Sequence, residues 1–108
     1  MFASEMMLIN IFYEEECIMR KVRIQVEGRV QGVGFRFSTK MVADELGVTG
    51  VVRNEMDGSV SMEACGEDSA IEQFIQRVKE SPSPAGSVSN VQVEDDPSIK
   101  ERKKFIAN

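Results

Sequence analysis

One glycine-rich segment, residues 28–36 with the sequence GRVQGVGFR, constrains the fold of this chain more than any other stretch. It lies between a segment with the periodicity of a strand and a segment with the periodicity of a helix. Glycines let the main chain turn so that successive N–H groups point into one concavity, and the first N–H groups of a helix have no partner within it. Arg36, at the helix entrance, adds a planar set of donors that suits two phosphate oxygens. The segment predicts an anion site, although a glycine-rich turn is also a common plain connection.

The sequences on either side of this loop predict a strand and a helix. Valine and isoleucine alternate with polar residues over positions 21–27, which is the period of a strand with one buried face. After the loop, the spacing predicts a helix over residues 35–46, with Met41, Val42 and Leu46 on its inner side. A glycine directly after this helix is expected to end it.

The middle of the chain predicts a β-hairpin. Residues 48–54 and 59–65 have strand character, and residues 55–58, which end in Asp-Gly, supply the turn between them. Met62 falls on the apolar face of the second of these strands. We expect it, like Met41, to fill the core.

A second helix follows the hairpin. Ser69 and Glu72 form a capping-box pattern, which predicts a helix start. Four apolar residues then recur at helical spacing: Ile71, Phe74, Ile75 and Val78. Residues 81–87 contain two prolines and a glycine and cannot continue the helix, so they are predicted to form a loop.

The last part of the chain predicts two more strands. Residues 88–94 form the fourth strand, with Val91 and Val93 as its inward pair. Residues 95–103 are polar and charged, and we expect them, with the basic residues up to position 104, to be a solvated connection rather than a binding patch. A short closing strand is predicted at residues 105–106.

The order strand, helix, strand, strand, helix, strand predicts the fold class. It is the order of the split β-α-β unit, βαββαβ, and indicates an α+β ferredoxin-like α/β sandwich: an antiparallel sheet with two helices on one face. In a right-handed split β-α-β unit the first two strands run parallel, so both end at the same edge of the sheet. Asn54, at the end of the second strand, is therefore expected near the glycine loop and Arg36.

Charge and cysteine content exclude several kinds of site. A net charge of −5 argues against nucleic-acid and membrane partners, so an anion site has to be positive only locally. Cys17 and Cys65 are the only cysteines and there is no histidine, which makes a structural metal site improbable. We expect two reduced thiols in a cytoplasmic protein that uses no metal and no cofactor.

The amino-terminal residues 1–20 are expected to be an appendage to one catalytic domain over residues 21–108. Residues 6–13 are apolar but too few to span a bilayer. Four alternatives stay open for this extension: an extra edge strand, a disordered tail, a dimer contact through residues 6–13, or sequence upstream of a natural start at Met19. We expect a monomer.

Two motifs resemble the signatures of a known family. Residues 28–36, and residues 50–60 with Gly66 six positions on, are similar to the two sequence signatures of the acylphosphatase family. The resemblance covers residues 21–108 and implies a small, metal-free hydrolase of carboxyl–phosphate mixed anhydrides. One departure is Val51, where the family usually has an aromatic residue, and we expect it to affect packing more than catalysis.

The resemblance also implies roles for individual residues. It matches Arg36 to the arginine that binds phosphate and Asn54 to the asparagine that orients the attacking water. The residues themselves suit this chemistry, because an acyl phosphate releases a carboxylate that leaves without protonation, and phosphoryl transfer needs mainly positioning and charge stabilisation. The main-chain N–H groups expected to hold the phosphoryl oxygens beside Arg36 are those of Gln31, Gly32, Val33, Gly34 and Phe35. No base is evident, so the water's proton is expected to pass to a phosphoryl oxygen of the substrate.

Two other functions compete with this small-molecule hydrolase. Acylphosphatase-like domains also occur within larger proteins that handle carbamoyl phosphate, so the chain is alternatively a non-catalytic module that binds acyl phosphate or carbamoyl phosphate. A ferredoxin-like regulatory or RNA-binding domain is less favoured, because the strands place charged or small polar residues where stacking aromatics would be needed. No residue pattern recognises an acyl group, and we therefore expect broad acyl tolerance.

Overall fold

The order of strands and helices agrees with the βαββαβ pattern. The computed structural model describes residues 19–108. Its elements are β1 (Met19–Arg29), α1 (Phe35–Leu46), β2 (Thr49–Asn54), β3 (Val60–Glu67), α2 (Asp68–Lys79), β4 (Ser87–Asp95) and β5 (Phe105–Ala107). The predictions for residues 6–13 and for Cys17 lie outside the described residues, as does the 1–20 extension except for its last two residues, which begin β1.

The sheet is mixed rather than wholly antiparallel. Its five strands lie in the order β4-β1-β3-β2-β5. Both β1 and β2 pair antiparallel with β3, so they run parallel to each other, as predicted, and end at the same edge. β5 pairs parallel with β2, which corrects the expectation of an antiparallel sheet. The reason is the direction of β4, which runs antiparallel to β1 and so ends at the edge of the sheet where β1 and β2 begin. β5 starts from that edge and therefore runs in the same direction as β2.

The main core lies between the sheet and the two helices. The alternating residues of β1 and the predicted stripe of α2 are buried there, and the ring of Phe74 in α2 lies 5.7 Å from that of Phe105 in β5. Met62 is buried, as predicted. This packing joins α2 and the sheet into one core.

Helix α1 has the predicted bounds, but its inner face differs from the prediction. Met41 is 54% exposed and does not fill the core, whereas Val42 is buried and Leu46 is partly buried. Thr39 and Ala43 complete the buried face. The prediction used apolar residues alone, so it placed Met41 on the buried face. It missed Thr39, a polar residue that is buried in the core.

Helix α2 begins differently from the prediction. The capping-box prediction is wrong, because the helix starts at Asp68, its N-cap is Glu67, and no side chain caps it. Ser69 is therefore already inside the helix. Glu72 instead accepts a hydrogen bond from Arg20 of β1 at 2.5 Å, a long-range partner that the local pattern did not reveal.

The segment between β4 and β5 is not a simple solvated connection. Ile99 is 3% exposed. Three ion pairs join the segment to the sheet: Asp96 to Arg23 at 2.7 Å, Glu101 to Lys21 at 3.6 Å and Arg102 to Glu63 at 3.7 Å. Arg23 and Glu63 lie on the sheet face opposite the helices, since their neighbours along each strand are buried in the core. The segment covers part of that face, so its charged residues have partners that sequence spacing did not show.

Two buried strand residues lie on this second face. Val51 and Cys65 are buried but lie outside the core cluster beneath the helices, because Val52 and Ala64 beside them face that core. Burial raises the pKa of the Cys65 thiol, which is typical of an inert structural cysteine. Val51 thus contributes to packing, in line with the expectation for this departure from the family pattern.

β4 is an edge strand, which exposes one of its two predicted inward residues. Val91 is partly buried against the core, whereas Val93 is 37% exposed. Both pair with core residues of β1, so they share the inner face. Only one neighbouring strand shields each of them. The prediction that both face inward is therefore confirmed, although Val93 stays partly exposed.

Two classes of feature are absent from residues 19–108. Neither helix in this range has the length and apolar character needed to cross a membrane. The same residues contain no group of three or more histidine, cysteine, aspartate or glutamate side chains placed to hold a metal ion.

Candidate active site

The loop between β1 and α1 has the geometry of an anion site. Gly32 and Gly34 have φ angles of +75° and +76°, in the left-handed region that residues with a Cβ atom rarely adopt. Gly34 is the N-cap of α1, and no side chain of the described residues caps this end of the helix. The positive end of the helix dipole and its first N–H groups are therefore open to a ligand.

The N–H groups of this loop are not used in main-chain pairing. Within residues 19–108, none of the main-chain N–H groups of residues 31–35 donates to another main-chain group outside the regular elements. The first such bond runs from the N–H of Ser38 to the carbonyl oxygen of Gly34, at 3.1 Å. Main-chain donors normally find partners, so a run of open ones suits a bound anion.

A cavity joins this loop to the end of β2. Its volume is about 150 Å³, and its lining comprises Val30, Gly32, Gly34, Phe35, Arg36, Phe37 and Asn54. The topology correctly predicted that Asn54 would lie beside Arg36 and the loop. Among the other predicted site residues, Gln31 and Val33 do not line the cavity. Phe37 lines it although the sequence did not single this residue out.

Arg36 has no side-chain carboxylate partner within residues 19–108. It lies in the first turn of α1 and is partly buried, and its guanidinium donates to the main-chain oxygen of Asn108. The N–H of Asn108 donates in turn to the carbonyl oxygen of Val52 at 2.9 Å. This contact orients Arg36, and no local sequence signal could have revealed it.

The side chain of Gln31 ties the loop to the hairpin. Its amide nitrogen donates to the carbonyl oxygens of Glu55 and Ser59, both at 2.8 Å. The prediction for Gln31 concerned only its main-chain N–H. The side chain holds the loop at a fixed distance from the turn that follows Asn54, which the sequence did not indicate.

A second tie fixes the other side of the loop. Ser83, in the loop before β4, is buried, and its hydroxyl donates to the carbonyl oxygen of Val33 at 2.5 Å. The glycine loop is thus held from two sides, by Gln31 and by Ser83. Sequence reasoning missed Ser83, because a serine within a proline-rich loop is common and carries no distinguishing pattern.

The hairpin after Asn54 is internally bonded. The Asp57 carboxylate accepts from the N–H of Ser59 at 2.9 Å and from its hydroxyl at 2.6 Å. These bonds lower the pKa of Asp57. The Glu55 carboxylate accepts from the hydroxyl of Ser61. Both carboxylates of the turn are therefore engaged within the hairpin.

The side chain of Asn54 is available at the cavity. Asn54 is the last residue of β2 and is exposed. Its amide belongs to none of the side-chain hydrogen bonds between described residues, while its main chain is fixed by pairing with Val60 of β3. The arrangement combines one cation, open N–H donors and one amide that can hold a neutral molecule such as water.

A larger groove lies on the other face of the sheet and is less suited to binding an anion. Its volume is about 470 Å³, and Arg23, Arg53, Glu63 and Glu94 are among the residues that line it. Arg23 is already paired with Glu63 at 2.9 Å and with Asp96. Carboxylates and cations are mixed there, so the smaller cavity is the better anion site.

Comparisons with known proteins agree with this geometry. The family model described as Acylphosphatase matches residues 22–107. An acylphosphatase of Enterococcus faecalis is 58% identical over 87 residues, which cover 81% of this chain and 96% of that protein.

Two solved structures have the same fold and detectable sequence similarity. The crystal structure of an acylphosphatase from Bacillus subtilis is 37% identical with a TM-score of 0.78, covering 82% of this chain and 98% of that one. The structure of an acylphosphatase from Coxiella burnetii is 34% identical with a TM-score of 0.80, covering 86% of this chain and 96% of that one. The chain therefore belongs to the acylphosphatase family.

Proposed function

We propose that this protein hydrolyses the carboxyl–phosphate bond of acyl phosphates to a carboxylate and inorganic phosphate. The observation that carries the proposal is the small cavity where open loop N–H groups, Arg36 and Asn54 meet. Family membership supports the same reaction.

The loop and Arg36 hold the phosphoryl group in this proposal. The N–H groups of Gln31, Gly32, Val33, Gly34 and Phe35 donate to phosphoryl oxygens. The guanidinium of Arg36 adds a two-pronged, charge-assisted contact, since no side-chain carboxylate within residues 19–108 competes for it. Negative charge on the equatorial oxygens is thereby stabilised in the transition state by donors that need no rearrangement.

Asn54 positions the nucleophile. Its side-chain amide holds a water molecule in line with the bond to the leaving carboxylate. The water oxygen forms a bond to phosphorus as the bond from phosphorus to the acyl oxygen breaks. The water's proton passes to a phosphoryl oxygen, and the electron pair of the broken bond leaves with the carboxylate.

No general acid or base is needed for this reaction. The leaving carboxylate is a weak base and departs without a proton. The nearby carboxylates of Glu55 and Asp57 are held by Ser61 and Ser59. A bell-shaped pH profile that Glu55→Gln abolished would contradict this part of the mechanism.

We also propose that the enzyme works without a metal or cofactor, as a cytoplasmic monomer. The described chemistry requires only the residues named above. Sizing chromatography of the full chain tests the monomer, and a dimer that Ile11→Asp dissociates would favour the alternative contact through residues 6–13.

The test follows benzoyl phosphate hydrolysis by the full chain in oxygen-18 water, with and without a metal chelator. We expect rapid turnover that survives the chelator, with the label in phosphate because water attacks phosphorus. Label in benzoate would mean attack at the acyl carbon and would contradict the mechanism. Binding of carbamoyl phosphate through Arg36 without turnover would instead favour the non-catalytic module.

A further inference from the structure

We propose that Phe37 forms the contact surface for the acyl group, and that the enzyme therefore favours acyl phosphates with aromatic or other bulky apolar acyl groups. This inference rests on the proposed hydrolysis. It deepens that function by naming a specificity-determining residue and a preferred substrate class, in place of the uniform acyl tolerance expected from the sequence.

The size of the cavity sets where the acyl group lies. Its volume of about 150 Å³ is only a few times the roughly 30 Å³ that one water molecule takes in the liquid. A phosphoryl group with its attacking water uses most of that space. An acyl group must therefore lie outside, against whatever surface forms the mouth.

Phe37 is the only large apolar side chain of the lining that is available at the mouth. Val30 and Phe35 also line the cavity, but each is 1% exposed and committed to the core. Phe37 is 65% exposed. The remaining lining residues are two glycines, Arg36 and Asn54.

The placement of Phe37 follows from its neighbour. It comes directly after Arg36, and both residues line the same cavity, so the exposed ring lies close to the guanidinium proposed to bind phosphate. An acyl phosphate held by Arg36 directs its organic part away from the loop, toward this exposed ring. Contact would remove apolar surface of both groups from water, which favours binding in proportion to the area covered.

Met41 provides a matched control on the same helix. It is also apolar and is 54% exposed, but it does not line the cavity. It lies four residues further along the helix, about one turn farther from the loop. Both side chains are largely exposed, so neither substitution threatens the fold.

The kinetic test compares benzoyl phosphate with acetyl phosphate in Phe37→Ala and Met41→Ala. For Phe37→Ala we expect the ratio of the two kcat/KM values, benzoyl over acetyl, to fall about three- to tenfold, a modest change because the mouth stays open to water. Acetyl phosphate turnover and the Met41→Ala ratio should stay near those of the parent. An unchanged ratio in Phe37→Ala, or an equal fall in both variants, would overturn the assignment.

A binding test separates this inference from the proposed function. Benzylphosphonate and methylphosphonate share the phosphoryl end but differ in the organic group, and neither requires turnover. We expect Phe37→Ala to weaken benzylphosphonate about three- to tenfold and to leave methylphosphonate unchanged. Absence of hydrolysis of every acyl phosphate, with this selective loss intact, would refute the hydrolase but not the acyl contact. Equal effects on both phosphonates would refute the contact alone.

Discussion

The two ends of β1 use arginine in opposite ways. At its start, Arg20 donates to the carboxylates of Asp68 at 3.1 Å, Glu72 at 2.5 Å and Asp95 at 3.0 Å. Beyond its end, Arg36 has one hydrogen-bond partner within residues 19–108, the main-chain oxygen of Asn108. The first guanidinium is surrounded by side-chain carboxylates, and the second is paired with no side-chain carboxylate of the described residues.

The Arg20 cluster serves cohesion. It joins β1 to α2 and β4, and its hydrogen bonds, above all that with Glu72, raise the pKa of the arginine above its ordinary value. The charge is satisfied there, so no ligand can gain much from it. On a chain with a net charge of −5, a cation that no side-chain carboxylate of residues 19–108 pairs with is available to an incoming phosphoryl group. This comparison shows that the partners of an arginine, more than the residue type, decide whether it stabilises the fold or binds a ligand.

Breaking the binding end should have the largest effect on activity. Arg36→Ala is expected to lower kcat/KM for benzoyl phosphate by about a thousandfold or more, as removal of an arginine that stabilises phosphoryl transfer does. Arg36→Lys should also be severe, because a point charge cannot reproduce the two-pronged contact. The free energy of unfolding should change by less than about 0.5 kcal/mol. Arg53→Ala, one residue before Asn54, is the control and should retain activity.

Removal of the Asn54 side-chain amide should have the second largest effect on activity. Asn54→Ala is expected to reduce kcat about a hundred- to a thousandfold with little change in KM, because the lost contact acts on the attacking water. Steady-state kinetics with acetyl and benzoyl phosphate measure the split. Asn90→Ala on β4 is the matched control. A raised KM with normal kcat would assign Asn54 to substrate binding instead.

Substitution of Arg20, at the start of β1, should lower the stability of the fold and leave catalysis intact. Arg20→Met keeps the apolar stem and is expected to lower the free energy of unfolding by about 1–2 kcal/mol, the sum of several modest ion pairs. Lys40→Met removes a single pair with Asp44 and should cost less, about 0.3–0.5 kcal/mol. Urea unfolding at low and high salt measures both. A large loss of kcat in folded Arg20→Met would contradict the separation of the two ends.

The smallest expected effect concerns Asp96, which pairs with Arg23 of β1, and the stability of the fold in acid. Hydrogen bonds from Ser98 and the ion pair with Arg23 lower the pKa of Asp96 to about 2. The ionised form is favoured in the folded state, so its stabilisation is present above the ordinary pKa of about 3.9 and is lost as pH falls through the folded value. Asp96→Asn should therefore be less stable than the parent near neutral pH, and the gap should narrow in acid. A difference in urea midpoint between the parent and Asp96→Asn that stays constant down to the folded pKa of about 2 would contradict this assignment.

The sequence predicted the regular parts of the fold because they depend on local periodicity. The bounds of α1 and the buried stripe of α2 followed from apolar spacing, and the position of Asn54 followed from topology. Long-range partners were not predictable. Glu72 bonds to Arg20 rather than capping α2, because an ion pair with another strand prevails over a local pattern.

The site was predictable to a similar extent. Glycine spacing and Arg36 are local signals, and they marked the loop. The contact of Arg36 with Asn108 and the tie from Ser83 to Val33 join residues far apart in sequence, so only the fold reveals them. The exposure of Phe37 was also hidden, because a phenylalanine is usually buried.

Binding of inorganic phosphate tests the contrast between the two ends of β1 most directly. Phosphorus NMR or calorimetric titration of the parent, Arg36→Ala, Asn54→Ala and Arg20→Met gives four dissociation constants without any need for turnover. We expect Arg36→Ala to lose at least about tenfold in affinity, since a charge-assisted pair is removed, while the other two variants stay near the parent. Equal weakening in Arg36→Ala and Asn54→Ala, or weakening in Arg20→Met, would contradict the assignment of Arg36 as the phosphate-binding cation.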